Sequence, residues 1–143
     1  MNLIFWSDSI IPSTAANAIQ VMKMCDAFTK LGNNTTLHAK RPKYSKETTM
    51  ADFSNIYGVT TNFKVISHSS HRYIRHLDYD ATVLISVLKS KPDLIYTRSL
   101  RGAFLANFFK KDVILELHFL PTTGPSAWIL KQLASGTYLK KII

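Results

Sequence analysis

The chain has 143 residues, 46% of them apolar, one cysteine, and a formal charge of +9 with a pI near 9.8. That length fits one domain able to bury a core, and the composition excludes a disordered tract, a disulfide framework and a collagen-like fibre. The charge points to an anionic partner such as nucleic acid, a phosphorylated sugar or nucleotide, or an acidic membrane surface; a merely basic, solvated surface is the plain alternative.

In chain order, residues 2–6 form a short apolar run that reads as a buried strand, followed by a polar, proline-containing loop over 7–13. Residues 14–31 carry Ala18, Val21, Cys25 and Phe28 at helical spacing, and Gly32 stands where a helix-ending glycine belongs. Residues 35–39 read as a second strand, so the opening of the chain is a βαβ unit with a right-handed crossover. Cys25 lies on the apolar face of the helix and reads as a buried structural thiol. The basic run 40–46 reads as a loop able to meet phosphate or simply to face solvent. A helix over 47–57, ending at Gly58, and a strand over 62–66 follow.

Residues 67–80 are the least regular part, with His68, His71, His76, Arg72 and Arg75 on an exposed basic loop. His68 and His71 have a spacing that suits a metal, but no cysteine or carboxylate cluster accompanies them, and no metal site is expected. A helix over 80–88 leads to a strand over 93–97. A second helix over 100–109 has Leu100, Phe104, Leu105 and Phe108 as its packing face. A strand over 113–117 then ends at His118, and Glu116 alternates away from Leu115 and Leu117 to face a helix or solvent. A turn-rich loop, a helix over 126–133 and the start of a strand at 140–143 complete the order. Alternating strands and helices predict an α/β, Rossmann-like, doubly wound and mostly parallel sheet with helices on both faces.

Open sheets of this kind bind ligands at the carboxyl ends of their strands. Three loops should meet there: residues 7–17, 97–101 and 118–126. The first supplies Ser13, Thr14 and Asn17 with the amino end of the first helix, where free N–H groups and the helix dipole favour an anion. It contains no glycine, so the dinucleotide fingerprint and the P-loop are absent. Arg98 is placed for bidentate contact with phosphate or carboxylate, or for a structural ion pair. His118 is placed to hydrogen-bond a sugar hydroxyl or transfer a proton, or to serve as a structural histidine.

Residues 12–32 (PSTAANAIQVMKMCDAFTKLG), and then 93–101 (DLIYTRSLR) followed by 113–118 (VILELH), resemble, in order and spacing, the opening of GT-B glycosyltransferases of the family-four, retaining type. The resemblance implies transfer of a sugar from a nucleotide-sugar donor to an acceptor hydroxyl, with retention, no obligatory metal and no cofactor beyond the donor as substrate. It makes residues 1–143 the Rossmann-like, acceptor-side N-terminal domain, with His118 and the first loop bordering the reaction centre. Ser13, Thr14, Asn17 and Arg98 would then bind substrate, and the acceptor would be a sugar or a lipid-linked molecule. The donor site, with its Glu, seven residues, Glu motif, belongs to a C-terminal domain that this chain lacks, and the glycine pair of the first loop is also missing. The expectation is therefore a domain inactive alone, completed by a C-terminal domain or a separate donor-binding chain.

The longest apolar runs are too short for a spanning helix and the start has no signal pattern, so the expected location is cytoplasmic, with peripheral contact at the inner membrane face. Two rival readings are a nucleic-acid module using Tyr44 or Tyr73, which lacks a binding motif, and a membrane adaptor using Phe104, Leu105, Phe108 and Phe109 with Arg101, Lys110 and Lys111.

Overall fold

A computed structural model of the chain describes residues 1–43, 49–74 and 76–143. Its elements run β1 (Asn2–Ile10), α1 (Ala16–Lys30), β2 (Asn34–Lys40), α2 (Met50–Tyr57), β3 (Lys64–His68), α3 (Leu77–Ser90), β4 (Leu94–Thr97), α4 (Leu100–Phe108), β5 (Val113–Leu115), α5 (Gly124–Ala134) and β6 (Leu139–Ile142). The six strands form one sheet in the order β3-β2-β1-β4-β5-β6, and every neighbouring pair is parallel. This is the doubly wound, Rossmann-like architecture expected from the sequence.

The strand β1 lies at the point where the winding reverses, and it is buried on both faces, as a central parallel strand must be. Its side chains alternate between two cores. Leu3 and Phe5 pack with Leu37, Val21, Met22, Cys25 and Phe53 on the α1–α2 side. Ile4 and Trp6 pack with Val83, Val87, Ile95, Ala103 and Ala106 on the α3–α4 side. Cys25 is buried as a structural thiol, its pKa raised by that burial.

The sequence marks several element ends. Gly32 closes α1 with φ +84°, a left-handed turn that a side chain would strain. Thr49 caps α2 through a capping box with Asp52, and Gly58 ends it at φ +60°. Asp26, buried on α1, accepts hydrogen bonds from Thr60 N (2.9 Å), Thr61 N (2.8 Å) and Thr61 Oγ1 (2.7 Å), which fixes the approach to β3. Burial works to raise the Asp26 pKa, but these bonds and Lys30 outweigh it and hold the carboxyl well below the usual range.

Four expectations need correction. Residues 7–10 are strand and not loop: β1 continues through a register shift to pair Ile10 with Lys40, and the Ser7 hydroxyl accepts from Ser9 N (3.1 Å), so a polar sequence satisfies itself inside the sheet. His68 belongs to β3 and α3 begins at Leu77, so the irregular segment is shorter than the sequence indicated. Phe108 is not a packing residue, being 70% exposed. Leu100, Phe104 and Leu105 do pack against the core, half-buried, while the fully buried residues of α4 are Gly102, Ala103 and Ala106, because Trp6 on β1 fills the space a large side chain would need there. The expected phosphate loop begins with Lys40, which is the last residue of β2 and pairs with Asp8 at 2.9 Å. The start of the predicted helix at 47, together with Tyr44 and Arg75, falls outside the described residues.

Candidate functional site

The carboxyl edge of the sheet carries a polar cluster on its α1 side. Residue alternation puts it there: Leu94, Tyr96 and Arg98 along β4, and Ile114, Glu116 and His118 along and beyond β5, fall on the face that α1 covers. Thr97 Oγ1 donates to the Trp6 carbonyl (2.8 Å) and accepts from Ser99 N (3.0 Å), and Ser99 Oγ accepts from Gly102 N (3.2 Å) as the cap of α4. Arg98 is thereby held between two anchored residues. Pairing also runs past the end of β5, since Glu116 N donates to the Thr97 carbonyl (2.9 Å).

Glu116 is the centre of the cluster. Its carboxylate accepts the Tyr96 hydroxyl (2.9 Å) and lies 3.6 Å from Arg98 Nε and 3.5 Å from His118 Nε2. Burial, and then this carboxylate, push the Tyr96 hydroxyl well above the ordinary range, so it stays a donor at any physiological pH. Arg98 Nη1 also donates to Gln20 Oε1 (3.2 Å) on α1. The guanidinium is thus tied to both sides of the crevice. Glu116 and Arg98 are mostly buried, whereas the His118 side chain is 56% exposed and presents its ring to solvent at the edge.

The structure brings Arg98 and His118 together through Glu116. It places Asn17 three residues before Gln20, on the same edge of α1 and one turn nearer its amino end. Ser13 is fixed by Tyr57, whose hydroxyl accepts from Ser13 N (2.6 Å) and donates to the Ser13 carbonyl (2.8 Å). Ser13 Oγ accepts from Ala15 N (3.1 Å) and Asn17 Oδ1 from Ala18 N (2.9 Å), so both side chains occupy backbone donors of the helix entrance. Thr14 is exposed beside them. No hydrogen bond or ion pair joins Ser13, Thr14 or Asn17 to Arg98 or His118 among the described residues. Sequence reasoning missed Tyr96, Gln20 and the role of Glu116; the period-two register with Arg98 and His118 was the available signal.

A second polar group occupies the α3 side of the same edge. Tyr79 donates its hydroxyl to the Ser7 and His38 carbonyls, and the Lys40 ammonium sits 5.2 Å from its ring centre. His38 Nδ1 and His68 Nε2 share a hydrogen bond of 2.8 Å between stacked rings. His71 instead pairs with Asp78 (2.7 Å), so the two histidines of the metal-like spacing engage different partners. Asp80, buried in the first turn of α3, is approached by Arg101 at 3.2 Å. A cleft of about 220 Å³ runs along the α3 side of the sheet, from Asn2, Asn34, Lys64 and Pro92 at the amino ends of the strands to His38, and holds none of the predicted site residues.

No protein-family model matches the chain, and no curated protein matches it in sequence. Solved structures do. The chain is similar to UDP-GlcNAc 2-epimerase from Methanocaldococcus jannaschii, at 19% identity over 80% of this chain and 31% of that one, with a TM-score of 0.51. It is similar to TcCGT1 in complex with UDP, at 9% identity over 83% of this chain and 29% of that one (TM-score 0.53). It is also similar to the spinosyn rhamnosyltransferase SpnG complexed with thymidine diphosphate, at 13% identity over 99% of this chain and 44% of that one (TM-score 0.57). The chain spans less than half the length of each. At such identities the likeness carries the fold, a Rossmann-like unit of the GT-B kind, and not the activity.

Proposed function

We propose that the chain is the acceptor-side, Rossmann-like domain of a glycosyltransferase that moves a sugar from a nucleotide-sugar donor to a hydroxyl of a glycan or lipid-linked acceptor. The observation that carries this reading is the Glu116-centred cluster, which holds Arg98 and His118 side by side at the ligand-binding edge of the sheet. The likeness in fold to a rhamnosyltransferase and an epimerase of nucleotide sugars supports it. So does the sequence resemblance to the family-four, retaining group, from which retention of anomeric configuration and a metal-independent reaction are carried over as part of the proposal.

In this reading Arg98, held by Glu116 through Nε and by Gln20 through Nη1, offers its remaining N–H groups to a phosphate or carboxylate of the substrate. His118 accepts or donates a hydrogen bond at the hydroxyl beside the reaction centre, and its ring is oriented by Glu116. Ser13, Thr14 and Asn17 line the approach at the entrance of α1. Donor binding falls to a C-terminal domain or a second chain, so the 143-residue chain is inactive by itself.

Two measurements test this. Nuclear magnetic resonance titration with glucose 6-phosphate, a sugar bearing an anion, is expected to shift the amides of residues 13–20, 98–99 and 116–118. Arg98→Ala should weaken that binding by about tenfold or more, the loss of one charge-assisted bond. Shifts confined to the cleft at the amino ends, or binding untouched by Arg98→Ala, would remove the site. Incubation of the chain with UDP-glucose should yield neither transfer nor hydrolysis; turnover by the chain alone would contradict the acceptor-domain reading.

A further inference from the structure

The crossover from β3 to β4 passes both β2 and β1, and its helix α3 packs Val83 and Val87 against Ile4 and Trp6 of β1. On that face β2 and β3 lie beside the flank of α3, which carries Ser86 and, one turn on, Ser90. Period-two alternation and the parallel register set the rest. Asn34, Thr36 and His38 on β2 share this face with Lys64 and Ile66 on β3; Thr36 stands level with Ile4 and Lys64, and His38 with Ile66. These side chains wall the cleft of about 220 Å³.

The polar groups of the cleft are of two kinds. At its inner end His38 is 1% exposed, and its Nδ1 is taken by His68 Nε2 at 2.8 Å, so Nε2 is the ring nitrogen left for a ligand. That nitrogen accepts when Nδ1 donates to His68 and donates when Nδ1 accepts, and a hydroxyl answers either role. Burial, and then the charges of His68 and Lys64, push the His38 pKa down to about 4, so at pH 7 the ring supplies a hydrogen bond and no charge. The Thr36 and Ser86 hydroxyls add further donors and acceptors. Asn34 Nδ2 donates to Asn2 Oδ1 (3.0 Å), which leaves the Asn34 amide oxygen as an acceptor. At the mouth, exposed Lys64 is the charged group, and no carboxylate lines the cleft among the described residues.

We propose that this cleft is a second binding site, taking one sugar ring that bears a single carboxylate, a hexuronate, with its hydroxyls on His38, Thr36 and Ser86 and its carboxylate on Lys64. The size agrees: a cavity of about 150 Å³ holds a benzene ring, and 220 Å³ leaves room for one six-membered ring with its substituents. Ile4 and Ile66 give the C–H face of such a ring an apolar floor, the usual mix of apolar lining and a few placed polar groups. One ammonium matches one carboxylate, whereas a phosphate dianion would leave a second charge unanswered. The cleft is on the α3 face and the Glu116 cluster on the α1 face, so the inference does not depend on the sugar-transfer reading.

Nuclear magnetic resonance titration of the chain with glucuronate is expected to shift the amides of residues 34–38, 64–66 and 86–90. Glucose, the ring without the charge, should bind there about fivefold more weakly, and acetate, the charge without the ring, should leave those amides in place. Lys64→Ala, at an exposed position, should bring glucuronate down to the level of glucose, while Lys131→Ala, an equal charge change on α5, should alter nothing. Thr36→Val, which keeps the side-chain shape without the hydroxyl, should weaken both sugars by about threefold or more. Arg98→Ala should leave the shifts in the cleft unchanged, which separates this site from the Glu116 cluster.

No shift of these amides with glucuronate would overturn the proposal. So would shifts that acetate reproduces, which would reduce the site to an anion gathered by Lys64. Equal losses from Lys64→Ala and Lys131→Ala, or full binding by folded Thr36→Val, would also overturn it.

Discussion

Trp6→Ala is expected to cost about 3–5 kcal/mol, the range for removing a large buried aromatic side chain. Against a total stability of roughly 5–15 kcal/mol, that is enough to leave much of the chain unfolded at moderate temperature. Trp6 is wholly buried on the central strand, between β1 and the helices α3 and α4. Its indole N–H has no hydrogen-bond partner among the described residues, so the contribution is one of volume and packing. The opposing surface is matched to that volume: a Cβ built on Gly102 would lie 3.0 Å from two ring atoms of Trp6. Gly102→Ala should therefore destabilise the native chain by about 1–2 kcal/mol, even though alanine is the better helix former. In a Trp6→Leu background the same change should be neutral or stabilising, since the added methyl then occupies vacated space. Urea unfolding of the four proteins measures the coupling, expected at about 1 kcal/mol or more. Additive effects would show that α4 is not held at this distance by Trp6.

The second large effect is in the response to acid. Burial, and then the charges of His68 and Lys64, push the His38 pKa down to about 4 from 6.5. Between those values the unfolded chain takes up a proton that the folded chain refuses, so this histidine removes stability as pH falls through the window, by up to about 3 kcal/mol. His68, lowered by burial and by Arg41, acts in the same direction. Asp80 opposes them. Burial raises its pKa to about 6 from 3.8, with Arg101 pulling the other way and Asp8 adding to the rise. Its folded form takes up a proton first, and it adds stability as pH falls from 6 to 3.8, again by up to about 3 kcal/mol. The native chain should thus lose stability only gently from pH 6.5 to 4. Asp80→Asn, which keeps the shape and removes the charge, should be more stable than the native chain at pH 7 by roughly 1–3 kcal/mol and then fall steeply toward pH 4. Urea unfolding at several pH values decides it. Parallel stability curves for the two proteins would mean that the Asp80 carboxyl is not suppressed by its burial.

Much of the architecture was legible without coordinates. The strand–helix alternation, the apolar face of α1 with Cys25, and the glycines that end α1 and α2 depend on local periodicity and backbone sterics, which a sequence displays directly. So does the placement of Arg98 just past β4 and of Ser13, Thr14 and Asn17 at the entrance of α1. Strand ends were less legible. Ser7 and Ser9 look like loop residues, and only pairing of Ile10 with Lys40 makes their segment a strand.

Two matters were decided by tertiary structure alone. Of the large side chains that mark a packing face on α4, Leu100, Phe104 and Leu105 do pack against the core, but Trp6 from a distant part of the chain takes the space nearest the sheet, so the small residues Gly102, Ala103 and Ala106 are the fully covered ones and Phe108 is left outside. Glu116 looked like a neutral alternation between two leucines. The parallel register of β4 with β5 sets its carboxylate beside Tyr96, Arg98 and His118, residues up to 20 positions away in sequence. Periodicity fixes which face of an element a side chain occupies; what occupies the opposite side of the gap depends on non-local pairing, and that is where the candidate site is made.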